Sequence, residues 1–217
     1  MEIISENVLT PSGRIDASKL AVLAIHWQND LVRPEGAFGP IFAEQVSALK
    51  LLQRTGRVLN AVRAAGGTVI YVNVCFHPGF PDVICNSALF RTAVSRNAFV
   101  RGSAGARVVD ELAPQAADFV VEHSRISAFH GNEIELILRK KGIEAIAVTG
   151  VATNVAVDHS VRDALQLGYD TILLEDCCCS SNADFHEAAL KTLRVLSSWV
   201  TVSDTFLERL APAAVAD

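Results

Sequence analysis

The sequence lacks any apolar run near the roughly 20 residues that a membrane-spanning helix needs. Its first 16 residues are polar and lack the apolar core of a secretory signal. It also lacks an excess of positive charge. The 19 Lys and Arg are outnumbered by 24 Asp and Glu, for a net charge of −5, and the basic residues are scattered. This removes the electrostatic case for nucleic acid or a membrane surface as partner, and a cytoplasmic protein is expected. Paired cysteine spacing is missing too. Cys75 and Cys85 stand alone and Cys177, Cys178 and Cys179 are adjacent, so reduced thiols are expected rather than a disulfide framework or a structural zinc site. Low-complexity tracts, internal repeats and linkers are also absent. One domain spanning 1–217 is expected, with 1–18 as an irregular arm, and neither a cofactor nor a metal is assigned. With half its residues apolar and a fifth charged, the chain has an ordinary globular composition and can bury a sizeable core.

What the chain does have is regular alternation. The apolar run 20–25 predicts a strand covered on both faces. Two prolines and two glycines make 27–40 a loop. Phe42, Val46, Leu49, Leu52, Val58, Leu59 and Val62 recur at helical spacing, predicting one helix over 41–65 that Gly66 and Gly67 stop. The β-branched segment 68–75 predicts a second strand. Residues 76–107, with Pro78, Gly79, Pro81 and Gly102, read as a long irregular loop, a length that is usually functional in a compact domain. A helical turn at 108–112 and a short strand at 119–121 follow, then a helix over 132–141 and a strand over 144–148. Next come a helix over 153–167, a strand over 171–174 and a loop to 182. A helix over 185–196, a strand over 199–202 and a helix over 205–210 complete the pattern. Such alternation predicts a parallel sheet with helices on both faces.

Ligands bind such sheets beyond the carboxyl ends of the strands, which singles out a few side chains. His26 follows the first strand and His123 the third. Two imidazoles close together cannot easily both be cationic, so one can donate a proton while the other accepts one. In the first loop, Trp27, Gln28, Asp30 and Phe38 are candidates for the substrate's surroundings. Asp30 either braces that loop or orients a histidine, as a carboxylate behind an imidazole does. Phe76 and His77 follow the second strand, His77 lining a pocket or standing in solvent. Arg125 either binds a substrate carboxylate or, as its place in a loop favours, pins backbone.

After the strand at 144–148 comes a turn of small residues, Gly150-Val151-Ala152-Thr153-Asn154-Val155-Ala156. Thr153 or Asn154 is expected to cap the helix that starts there, whose first amides would face the ligand edge. Val151, Ala152, Val155 and, one turn on, His159 are candidate contacts. Such a turn can present a nucleophile, yet its best-placed side chain is the methyl group of Ala156.

Four segments in order then carry a resemblance: Leu23-Ala24-Ile25-His26-Trp27-Gln28-Asn29-Asp30, Tyr71 to Gly79, Val121-Glu122-His123-Ser124-Arg125-Ile126-Ser127-Ala128-Phe129, and Thr149 to Val157. They are similar to the Asp-x-Gln-Asn-Asp, Lys-x-Arg-x-Ser-Ala-Phe and Gly-Val-Ala-Thr-Asn-x-Cys-Val motifs of the isochorismatase-like hydrolase, or cysteine hydrolase, superfamily. The resemblance implies a three-layer α/β/α, Rossmann-like fold with a six-stranded, mainly parallel sheet. It also implies a homodimer or larger homo-oligomer. A further implication is a cis peptide at Val151–Ala152 that helps aim backbone amides at a substrate as an oxyanion hole. The amidohydrolases of that family use an Asp, a Lys and a Cys. The motif matches put His26, His123 and Ala156 in those slots.

Alanine forms no covalent intermediate, so the first expectation is an enzyme acting on a small polar substrate by non-covalent acid–base chemistry of His26 and His123. Hydrolysis, water addition and elimination all fit. Arg91, Arg96 and Arg101 leave an acidic substrate open. The alternatives are a catalytically inactive small-molecule binder or interaction protein on the same scaffold, and a metal site built from His26, His123 and Asp30 or His77. Cys177 and Ser181 follow the fifth strand, and nothing places them near the Ala156 turn.

Overall fold

A computed structural model describes residues 2–211. Strand β1 (Leu20–Ile25) is buried along its whole length. Its side chains divide by the two-residue period of a strand: Leu20, Val22 and Ala24 join one core cluster, and Ala21, Leu23 and Ile25 join the other. The continuous apolar run is therefore needed because both faces are covered. The other sheet strands are β2 (Thr68–Val74), β3 (Phe119–His123), β4 (Ala145–Val151), β5 (Asp170–Cys179) and β6 (Trp199–Thr201). All pairings are parallel, in the order β3-β2-β1-β4-β5-β6. The chain runs outward to one side of β1, then returns and runs outward to the other. The loops leaving β1 and β4 therefore diverge, and the crevice between them is where such sheets bind ligands.

A short helix α1 (Asn29–Val32) follows β1. The single helix expected over 41–65 is two, α2 (Gly39–Ala48) and α3 (Leu51–Ala64). Lys50 between them has a left-handed φ of 52°. On one unbroken helix Val46 and Leu51 would point about 140° apart at 3.6 residues per turn; the break lets both enter the same cluster. The expected loop over 76–107 contains α4 (Ala88–Ser95), capped by the Ser87 hydroxyl, which accepts from the Phe90 amide at 3.3 Å. Helix α5 (Ile134–Lys140) covers the second face with α6 (Asp158–Gln166) and α7 (Ala183–Leu196), while α3 and α8 (Ser203–Arg209) cover the first. The three-layer α/β/α expectation holds.

Three further expectations change. Strand β5 does not stop at Leu174. Its register against β4 shifts between Val148 and Gly150, after which Gly150 pairs with Cys178 and Val151 with Cys179. The polar Glu175 and Asp176 sit in that bulge and hid the continuation. The Thr153–Asn154 cap is replaced by a wide π-turn over Thr153–Val157 whose N-cap, Ala152, has no side-chain bond. The Thr153 hydroxyl instead meets His186 Nδ1 at 2.8 Å, and Asn154 Oδ1 accepts from the Ser180 hydroxyl at 2.8 Å. The arm is not irregular either: Ile15–Asp16 pairs in parallel with Leu210–Ala211, and Val8 and Ile15 are buried. Met1, at its start, lies outside the described residues.

At Gly150 the sheet needs glycine. Its φ is +150°, and a Cβ there would lie 2.5 Å from the Ile25 carbonyl oxygen. The Val151–Ala152 bond is cis. Among the described residues no helix is long and apolar enough to cross a membrane.

Candidate active site

The site begins where β1 and β3 end. His26 leaves β1 with a φ of 57°, its amide still donating to the Val72 carbonyl at 2.9 Å. His123 is the last residue of β3, and its carbonyl accepts from the Cys75 amide at 2.9 Å. Strands two apart are separated by roughly 9–10 Å. The imidazoles close that gap over the end of β2: His26 Nε2 and His123 Nε2 lie 2.7 Å apart, with ring centroids 5.0 Å apart and planes at 28°. One N–H shared between two ring nitrogens fits this contact.

Both rings are buried, at 6% and 3% exposure. Burial, then the neighbouring His123, holds His26 well below the usual histidine range, against a smaller opposing pull from the Val151 backbone. Burial, reinforced by His130, takes His123 down to about 4, against a weaker opposing pull from the Ser127 backbone. That backbone does not reach hydrogen-bond geometry, because His123 Nδ1 is buried without a partner among the described residues. At neutral pH the pair is uncharged.

A cavity of about 160 Å³ opens on His26. The π-turn side supplies Val151, Ala152, Val155 and Ala156. Phe38, Phe76 and Phe99 form an aromatic wall, Phe38 stacking on Phe99 at 5.5 Å and Phe76 meeting Phe99 edge-on at 6.3 Å. Helix α4 adds Leu89, Phe90 and Ala93. Arg125 closes the lining, its guanidinium 4.5 Å from the centre of the Phe90 ring. Among the described residues His26 and Arg125 are the only polar side chains facing the cavity, so its walls suit an apolar body better than the small polar substrate expected from sequence.

The Isochorismatase domain family matches residues 20–205. The chain belongs to that family. The ureidoacrylate amidohydrolase RutB of Yersinia enterocolitica is 31% identical over 211 residues, which is 91% of this chain and 91% of that protein. RutB of Stutzerimonas stutzeri is 30% identical over 211 residues, covering 91% of this chain and 85% of its own. The structure of a cysteine hydrolase from Pseudomonas syringae pv. phaseolicola superposes with a TM-score of 0.82 at 25% identity, covering 90% of this chain and 94% of that one. At this coarse level the chain is an isochorismatase-family hydrolase.

Within that frame the structure gathers some of the expected residues and withdraws others. His26, Phe38, Phe76, Arg125, Val151, Ala152, Val155 and Ala156 face the cavity, with His123 directly behind His26. Gln28 does not. It is fully buried, donating to the Val74 and Ala106 carbonyls at 2.8 Å each and accepting from the Val74 amide at 2.9 Å. Asp30 braces its loop rather than a histidine, accepting from the amides of Phe99 at 2.7 Å and Ala37 at 3.2 Å. Trp27 is sealed in the core with its indole N–H on the Thr149 hydroxyl at 3.2 Å. His77 lies in an exposed turn 3.2 Å from an Arg101 nitrogen, and exposed His159 meets the Val155 carbonyl at 2.8 Å. With Asp30 and His77 turned away, no group of three His, Cys, Asp or Glu side chains among the described residues is placed to hold a metal.

Sequence reasoning missed Leu31, Ile41, Phe42, Phe90 and Phe99 as lining residues. One signal was available for the aromatic wall: four of the ten phenylalanines fall within 76–107.

Proposed function

We propose that this isochorismatase-family hydrolase works without a covalent enzyme intermediate, with His26 as its proton-transfer group and His123 as the partner that holds it. One observation carries the reading. The imidazoles meet at 2.7 Å where His26 opens on the cavity, and the adjacent turn lines it with Val151, Ala152, Val155 and Ala156, none of which carries a nucleophile. Water adds to a substrate carbonyl carbon, and His26 takes its proton at Nδ1 while its Nε2–H is donated to His123 Nε2. The contact with His123 holds the His26 ring and shares the charge, so His123 is a positioning residue rather than a substrate contact. The C–N or C–O bond of the tetrahedral intermediate then breaks, and the imidazolium returns its proton to the departing nitrogen or oxygen. Neutral imidazoles are the form a base needs. Their depressed pKa values make them weak bases, and a developing oxyanion beside the imidazolium offsets that weakness.

The test is product release from a panel of amides and esters. His26→Gln and His123→Gln are each expected to lose about 10²–10⁴-fold in kcat/KM. Equal turnover in the wild type and both variants overturns the proposal. A non-catalytic binder is the second reading, favoured by the apolarity of the lining outside His26 and Arg125. Binding without turnover across the whole panel selects it.

A further inference from the structure

We infer that the site takes a compact apolar acid: a single ring or branched chain of about six carbons bearing one carboxylate, which Arg125 grips, and one amide or ester bond for the His26 chemistry to cleave. This rests on the hydrolase reading above and adds the substrate's chemical class. An apolar cavity of about 150 Å³ is large enough to hold a benzene ring, and this one is about 160 Å³. Phe38, Phe76, Phe90 and Phe99 offer ring faces and edges to such a body. A ureido or polyhydroxy body of the same size would bury donors and acceptors that these walls cannot satisfy.

Arg125 supplies the anchor. A guanidinium stays charged at any working pH, and this one forms no ion pair or hydrogen bond with any side chain or carbonyl among the described residues. The other arginines that the sequence offered for an acidic substrate are committed elsewhere: Arg91 reaches the Cys85 carbonyl, Arg96 the Ala37 carbonyl, and Arg101 pairs with Glu122. The guanidinium carbon lies 4.5 Å from the centre of the Phe90 ring, and among the described residues none of its N–H groups is committed to a hydrogen bond. Those N–H groups match a carboxylate with two parallel hydrogen bonds. Because the His26–His123 pair is neutral, Arg125 is the only fixed charge on the lining among the described residues, and one carboxylate balances it.

The experiment is calorimetric binding of two monoanions of similar length, phenylacetate and N-carbamoylglycine, to the wild type, Arg125→Gln, Arg125→Lys and His26→Gln. Phenylacetate is expected to bind at least 10-fold more tightly than N-carbamoylglycine to the wild type. That preference needs no variant to fold. Arg125→Gln is expected to lose at least 10-fold in phenylacetate affinity, and Arg125→Lys to recover part of it, since lysine restores the charge without the fork. Equal wild-type affinities, or an unchanged Arg125→Gln, overturn the inference. Turnover is not needed for this measurement, so the two readings fail separately. If His26→Gln binds phenylacetate like the wild type and no panel compound is hydrolysed, the acid–base reading falls and the substrate class stands. If polar amides are hydrolysed while phenylacetate does not bind, only the substrate class falls.

Discussion

The Cys177–Cys179 triplet and the His26–His123 pair lie at the same edge of the sheet and are nearly equally hidden. The three thiols are at most 1% exposed and the two imidazoles at most 6%. Burial has opposite chemical consequences for them. A thiol is a nucleophile only when ionised. Burial pushes Cys177 and Cys179 up to about 12 and Cys178 well above its ordinary value. An imidazole is a base when neutral, and burial keeps both imidazoles neutral. None of the three thiols lines the cavity that His26 faces. Reactive residue types therefore say little until their environment is known. The same desolvation holds the thiols protonated and the imidazoles neutral.

The strongest way to break this contrast is by activity. His26→Gln is expected to cost about 10²–10⁴-fold in kcat/KM, while Cys178→Ser leaves turnover per folded molecule unchanged. A Cys178→Ser variant that folds but is inactive would reverse the roles of the two clusters.

The next effect is on stability against pH. Both histidines have folded pKa values below the unfolded value of about 6.5. Between the two values the unfolded chain binds more protons, so stability rises with pH there. The contribution is complete above about pH 6.5 and is lost as pH falls towards about 4, the folded value of His123. For His123 alone the difference is about 3 kcal/mol. Urea unfolding midpoints measured from pH 7 to 4 are expected to fall steeply in the wild type and less steeply in His123→Gln. Identical slopes would mean that the pair is not buried as a neutral unit.

Smaller effects sharpen the comparison on the thiol side. Cys178→Ser buries a hydroxyl beside the Val148 carbonyl, where the thiol makes only a 3.9 Å contact. It is expected to cost about 1–3 kcal/mol in chemical denaturation, and a neutral result would show that β5 is looser than its burial implies. Thr153→Val removes the hydroxyl that meets His186 Nδ1 at 2.8 Å under the π-turn. A loss of about 1 kcal/mol is expected, with little change in kcat/KM. A large loss of activity would instead show that this bond aims the turn.

The fold was legible because two-sided burial forces continuous apolar strands and amphipathic helices, and both patterns survive in one dimension. It failed where tertiary contacts overrode the local pattern. Nothing at Leu49 or Lys50 resembles a helix stop, and Glu175-Asp176 looks like the end of a strand. The α2–α3 break serves packing against the sheet, and the β5 bulge is closed by Asp176, which accepts from the Ser203 amide and hydroxyl at 2.7 Å each. The candidate site divides in the same way. His26 and His123 were recognisable because strand ends in a parallel sheet share one edge. The aromatic wall was not, because Phe38, Phe76, Phe90 and Phe99 come from separate loops and a helix whose meeting leaves no periodic trace.

By itself, then, the sequence determined the layer order, the positions of the strand ends and the absence of a nucleophile at Ala156, since these follow from side-chain type and short-range periodicity. Only the tertiary structure decided that two imidazoles 97 residues apart touch, that Gln28 and Asp30 are spent on backbone, and that Arg125 looks into an apolar cavity. Those outcomes depend on distances between segments remote in the chain, which packing sets and local pattern does not encode.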